Sequence, residues 1–238
     1  TEDGSGNSNV IIGQGAAYSA NNNSFDCNVI IGAETGTGGT GYLNECVVLG
    51  FRALNSTAGT NHIGTIAIGS SALTAVNDAA AAGTVAIGHN AGMALTTGAG
   101  NTAIGFESLK NIVTGGQNVA IGYEAAEGFE NAETANVAIG YEAMAVMDEG
   151  SGGGDIDGNI AIGYQAFMGG DLSSNDRQIQ GNVAIGYAAL NSTADNAQTG
   201  TIAIGSSALT ALTTGVGNTA IGYQAMATTN SGAKNTVI

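Results

Sequence analysis

Proline and tryptophan are absent from this 238-residue sequence, cysteine and histidine occur twice each, and only four residues are basic. Each shortage argues against something. Arg52, Lys110, Arg177 and Lys234 are too few and too scattered to neutralise a phosphate backbone, so nucleic acid is not an expected partner. With 19 acidic residues the net charge is −15, and the same sign argument disfavours anionic membrane surfaces. No apolar run approaches the roughly 18 residues of a membrane span, and Thr1 opens no signal-peptide pattern. Two cysteines make no zinc site. His62 and His89 stand 27 residues apart with no matching cysteine or carboxylate cluster. No nucleophile elbow, P-loop or dinucleotide fingerprint occurs, and no acid, base and nucleophile converge. The expectation is a protein that is not an enzyme and carries no cofactor.

What fills the chain instead is glycine, 40 residues of it, and a repeat. Asn118-Val119-Ala120-Ile121-Gly122-Tyr123-Glu124-Ala125 recurs with small variations from end to end. Its glycines are Gly13, Gly32, Gly50, Gly69, Gly88, Gly105, Gly122, Gly140, Gly163, Gly186, Gly205 and Gly222, and Asn235-Thr236-Val237-Ile238 begins a thirteenth copy. The steps run from 17 to 23 residues. A fixed period of this size signals stacked repeats. The reading is therefore one all-β domain, residues 1–238: a parallel β-solenoid of 12–13 coils, forming an ordered portion of a longer polypeptide. Hydrophobic residues at 43% in strict register argue against disorder.

Each copy opens with a short strand in which Val119 and Ile121 point to one face and Ala120 to the other. Gly122 allows a bend or a close approach, and Tyr123-Glu124-Ala125-Ala126 is expected to form a second short strand. Helix is the rival for 141–147, but the equivalent Ser206-Ser207-Ala208-Leu209-Thr210 lacks helix formers. Nine copies carry asparagine four residues before the glycine, among them Asn118, Asn136 and Asn182, which suits a hydrogen-bonded ladder. Asparagine also tolerates a left-handed corner. Ile121, Ile139 and Ile185 precede their glycines, and Tyr123, Tyr141 and Tyr187 follow Gly122, Gly140 and Gly186. Such a tyrosine stripe serves packing or interchain contact, or binds glycans by stacking. The first three copies replace the middle alanine by Ile11, Ile30 and Val48, which suggests a wider, differently packed end.

Two 23-residue steps place extra residues at 147–158 and 168–181, expected to bulge as loops. Asp148, Glu149, Asp155 and Asp157 in the first are weak calcium candidates, with Asp171 and Asp176 in the second. A solvated acidic loop is the plainer reading. Cys27 and Cys46, one slot apart in neighbouring copies, are either two small buried thiols or a bridged pair.

A coil of 17–19 residues supplies about three large apolar side chains, each worth roughly 1.5–3 kcal/mol when buried. Ordering each residue costs about 1–2 kcal/mol. A single slender stack is therefore marginal, and the small face of Ala120, Gly122 and Ala125 is expected to be sealed by another chain. The Asn-Val-Ala-Ile-Gly core resembles the head repeats of trimeric autotransporter adhesins. The longer Asn218-Thr219-Ala220-Ile221-Gly222-Tyr223-Gln224-Ala225-Met226 is similar to repeats in bacteriophage tail fibres. The resemblance implies a left-handed β-roll, a homotrimer, and attachment to a cell-surface glycan or protein receptor, on a virion or an outer cell surface. The favoured expectation is a tail-fibre segment; an adhesin head or an extracellular filament subunit are the alternatives. A monomeric ice-binding solenoid is disfavoured because no continuous Thr-x-Thr face exists.

Overall fold

The structure is a computed structural model and describes residues 8–18, 25–37, 43–56, 61–76, 82–147, 155–170, 178–192 and 197–238. Among these residues there is no helix; every element is a two- or three-residue strand or a turn. The chain divides into two compact units, Thr1–Gln117 and Asn118–Ile238, each a parallel β-solenoid.

In the first unit the main ladder contains β1 (Val10–Ile12), β2 (Val29–Ile31), β4 (Val47–Leu49), β6 (Ile66–Ile68), β7 (Val85–Ile87) and β8 (Thr102–Ile104), and a smaller sheet pairs β3 (Leu43–Asn44) with β5 (His62–Ile63). In the second unit the main ladder contains β9 (Val119–Ile121), β10 (Val137–Ile139), β12 (Ile160–Ile162), β14 (Val183–Ile185), β16 (Ile202–Ile204), β17 (Thr219–Ile221) and β18 (Thr236–Val237). Its smaller sheet is β11 (Asp155–Asp157), β13 (Gln178–Gln180) and β15 (Gln198–Thr199). Register is strict: Val137, Ala138 and Ile139 face Ile160, Ala161 and Ile162 across a 23-residue step. Part of the expected bulge is thus a strand. Asp155, Ile156 and Asp157 pair with Gln178, Ile179 and Gln180, and Ile156 and Ile179 enter the core.

The alternation of large and small residues is as expected, but its sense is reversed. Ala120, Ala138, Ala161, Ala184, Ala203 and Ala220 are buried inside their own unit, as is Ala125. The flanking Val and Ile side chains turn outward and are half-buried or exposed. The face expected to receive another chain is the lining of the solenoid itself. The cause is volume: Leu73, Leu109, Met144, Phe167, Leu190 and Leu209 enter from the turns and fill the narrow interior, leaving room for little more than a methyl group beside them. At Ile30, where the strand residue is large, the turn residue is glycine. Ile30 lies opposite Gly36, at which a Cβ would come within 3.3 Å of the isoleucine methyls. Volume is exchanged within the coil in that early copy, so the larger strand residue does not by itself call for a wider end.

The stretch after the glycine is a turn, not a second strand. Gly122, Glu124 and Ala126 have φ of 142°, 50° and 51°, so every other residue is left-handed, and the same holds at Gly140, Glu142 and Met144. A left-handed non-glycine residue costs about 1–2 kcal/mol. Hydrogen bonds between coils offset it, for the left-handed residues donate across the stack: Glu142 N–H to Tyr123 O at 2.9 Å and Met144 N–H to Ala166 O at 3.2 Å. The second corner also differs from expectation. It is the residue before the ladder asparagine that is left-handed, at Cys27, Gln117, Ala135, Gly158, Gly181 and Lys234, while the asparagines are not.

Candidate functional site

Three columns run side by side along the outside of each unit, because strands in register bring equivalent positions together about every 4.8 Å. Two are aliphatic. In the second unit they are Val119, Val137, Ile160, Val183 and Ile202, continued by Thr219 and Thr236, and Ile121, Ile139, Ile162, Ile185, Ile204 and Ile221. No charged residue occupies a described position in either column of either unit. The third column follows the glycines and is aromatic. Tyr123, Tyr141, Tyr164 and Tyr187 stack with ring centroids 5.0, 5.1 and 5.2 Å apart and planes within 7° of parallel. In the first unit His89 stacks on Phe106 at 5.3 Å, and the Arg52 guanidinium lies over the Phe51 ring at 4.9 Å.

A polar column borders the rings, carried by the left-handed residues. Gln165 donates to Glu142 at 2.7 Å, Asn90 to Glu107 at 3.1 Å, and Arg52 to Glu34 at 2.7 Å. Lys110 also meets Glu107 at 2.7 Å and, with the Asn90 amide, holds its carboxyl below the usual range. Glu142 accepts from the Tyr141 hydroxyl and raises its pKa.

Stacking decides what the tyrosines offer. Within the run from Tyr123 to Tyr187 each ring face is covered by the next ring, so mainly edges and hydroxyls point to solvent. A sugar ring needs a face. An unbroken run therefore offers a sugar no open ring face, and glycan stacking is confined to places where the run is interrupted.

The asparagine ladder is internal and structural. Asn118, Asn136, Asn159 and Asn182 are buried. Asn136 Oδ1 accepts from the Asn159 backbone at 3.0 Å and from its Nδ2 at 3.0 Å. Asn159 Nδ2 also donates to Ile179 O at 2.6 Å, and Asn159 Oδ1 repeats the pattern with Asn182 at 3.1 and 2.9 Å. Where the ladder carries threonine, the Thr65, Thr84 and Thr201 hydroxyls are buried without a hydrogen-bond partner.

Of the calcium candidates, only Asp155 and Asp157 are among the described residues. Asp148 and Glu149 fall outside the described residues, as do Asp171 and Asp176. Asp157 accepts from the Thr134 N–H and hydroxyl, both at 2.8 Å, and Asp155 accepts from Gln180 at 3.2 Å. Each carboxylate joins its coil to a neighbour through one oxygen. Cys27 and Cys46 are free; Cys46 is buried, which pushes its thiol pKa up, whereas Cys27 is exposed rather than buried as expected. Of the histidines, His62 is buried in β5 and His89 belongs to the aromatic column.

No family model, curated protein or solved structure matches the sequence. Sequence reasoning identified the columns but missed the left-handed polar border, whose residues are chemically mixed, and attached no meaning to Ser70 and Ser206 in the aromatic slot.

Proposed function

We propose that this chain is a structural, receptor-facing segment of a homotrimeric fibre that attaches to a host cell surface, as in a phage tail fibre. The observation that carries the reading is the pair of uncharged Val/Ile columns left on the outside of a chain of net charge −15. Ile12 is 57% exposed, and Ile31, Ile162 and Ile221 are 36–37% exposed. Continuous apolar faces of this kind mark association sites. Companion chains cover these columns, in place of the alanine face assigned to them from sequence, and surface loops and the aromatic column meet the receptor. The work done is reach and adhesion, with no turnover. An adhesin head is the alternative; its resemblance rests on the shorter Asn-Val-Ala-Ile-Gly core, and a different anchor would distinguish it.

Light scattering on the intact particle tests this, with three chain masses expected. A strictly monomeric mass sinks it. Ile139→Lys with Ile185→Lys is expected to give monomers that keep their β circular dichroism.

A further inference from the structure

The slot after the glycine opens with Gln14 and Ala33 in the first unit; beyond them, the aromatic column of each unit is interrupted once between two rings, both times by serine. In the second unit the slot runs Tyr187, Ser206, Tyr223; in the first it runs Phe51, Ser70, His89. The backbone continues through both breaks. Ser207 donates to Tyr187 O at 2.8 Å and Gln224 to Ser206 O at 2.9 Å, and Ser71 donates to Phe51 O at 2.9 Å and Asn90 to Ser70 O at 3.0 Å. Only a ring is missing. The loss shows in exposure at Tyr187, which is 57% exposed against 40–43% for Tyr123, Tyr141 and Tyr164. Arg52 does not close the first gap, because its partner Glu34 belongs to the preceding coil and draws the guanidinium away from Ser70.

We infer that these two gaps are saccharide sites, each taking one neutral or amino-substituted pyranose ring between the flanking aromatic rings. Two strand spacings separate the flanking rings by about 9.6 Å. One inserted ring then sits about 4.8 Å from each neighbour, close to the 5.0–5.2 Å of the tyrosine stack. A pyranose presents C–H groups on its faces, which suit aromatic faces, and hydroxyls at its rim, which need polar partners. The floor supplies them: Ser206 and Ser207 in one gap, Ser70 and Ser71 in the other, each hydroxyl able to donate and accept. An apolar planar ring would leave those groups without a use. The surrounding negative charge repels uronic and sialic acids, which selects neutral or amino sugars. The same Ser-Ser-Ala-Leu-Thr-Ala block forms both floors, one per unit.

The inference deepens the receptor-facing half of the proposed function and rests on the aromatic column facing solvent. The probe is the methyl glycosides of glucose, galactose, mannose and N-acetylglucosamine, read by saturation-transfer NMR on the whole chain. Transfer to the ring C–H protons of at least one glycoside is expected. Ser70→Tyr with Ser206→Tyr fills both gaps and is expected to abolish transfer with melting temperature held or raised; Tyr187→Ala with Phe51→Ala is expected to weaken it. No transfer to any of the four, or transfer undiminished in the serine-to-tyrosine variant, overturns the inference. So does saturation of phenol in place of the glycosides, which would assign the gaps to aromatic side chains. Light scattering reads the trimer separately, so a monomer that still binds sugar would remove the fibre and keep the site.

Discussion

At Gly186 the backbone has φ of 133°, and an added Cβ would lie 2.7 Å from the carbonyl atoms of Gly205 in the next coil. Gly181, five residues earlier, has φ of 64° with nothing near its Cβ position. The two glycines look alike in the sequence and answer to different physics. Gly181→Ala is expected to cost about 1 kcal/mol, the ordinary left-handed penalty, since Gln117, Ala135 and Lys234 already stand at that corner. Gly186→Ala adds a backbone clash to a glycine-only conformation and is expected to cost at least about 3 kcal/mol. Denaturant midpoints of the two variants, compared at equal m-value, check the contrast. The repeat made the closing glycine legible because it never varies. The left-handed corner was illegible because Cys, Glu, Gln, Ala, Lys and Gly all occupy it; what they share is backbone geometry, not chemistry. Lys110→Met tests the carboxyl that an ion pair holds low, Glu107. A carboxyl held low stabilises the fold above its unfolded pKa and loses that contribution as pH falls through the folded value. NMR titration is expected to show Glu107 moving back up towards the usual range in the variant, with the stability difference between variant and wild type shrinking in acid.

At the scale of the coil, the asparagine ladder turns a stack of three-residue strands into something held from within. Asn159→Ala removes donors to Ile179 O and to Asn136 Oδ1 and strands the Asn182 backbone N–H, all in a buried column. Each orphaned buried group costs about 1–3 kcal/mol, so a loss of about 3–5 kcal/mol is expected, enough to unfold neighbouring coils. Thr201→Val is the counterpart. Its hydroxyl is buried without a partner, so the isosteric apolar side chain is expected to be neutral or to stabilise by up to about 1 kcal/mol. Thermal melts of the two single variants decide it, and equal destabilisation would deny the ladder its role. The ladder was legible because in-register stacking makes one residue type useful at every rung. The turn was not. Tyr-Glu-Ala-Ala reads as extended or helical by propensity, whereas the structure alternates backbone hand so that the left-handed amides reach the neighbouring coil. Only the stacked neighbour supplies that preference, and local propensity contains no trace of it. The sense of the strand was hidden likewise. Alternation says that valine and alanine face opposite ways, but which way is inward depends on the leucines, methionines and phenylalanine arriving from the turn.

At the scale of the whole molecule, charge and apolar surface pull against each other. A chain with 19 acidic and four basic residues repels its own copies, yet it presents two outer columns free of charge. If those columns are where copies meet, association is driven by apolar burial and opposed by long-range repulsion. Both terms fix a sign. Raising ionic strength shortens the Debye length from about 30 Å at 0.01 M to about 8 Å at 0.15 M, which screens the repulsion and leaves the burial intact. Lowering pH towards the isoelectric point near 4.1 removes charge to the same effect. Dissociation on dilution is therefore expected to shift to lower chain concentration in high salt, and to lower concentration again at pH 5 than at pH 8. An assembly joined through ion pairs, for which only four basic residues are on hand, would respond to salt in the opposite direction. Sedimentation across a dilution series at two salt concentrations separates the cases, and salt-induced dissociation would remove the Val/Ile columns from the interface.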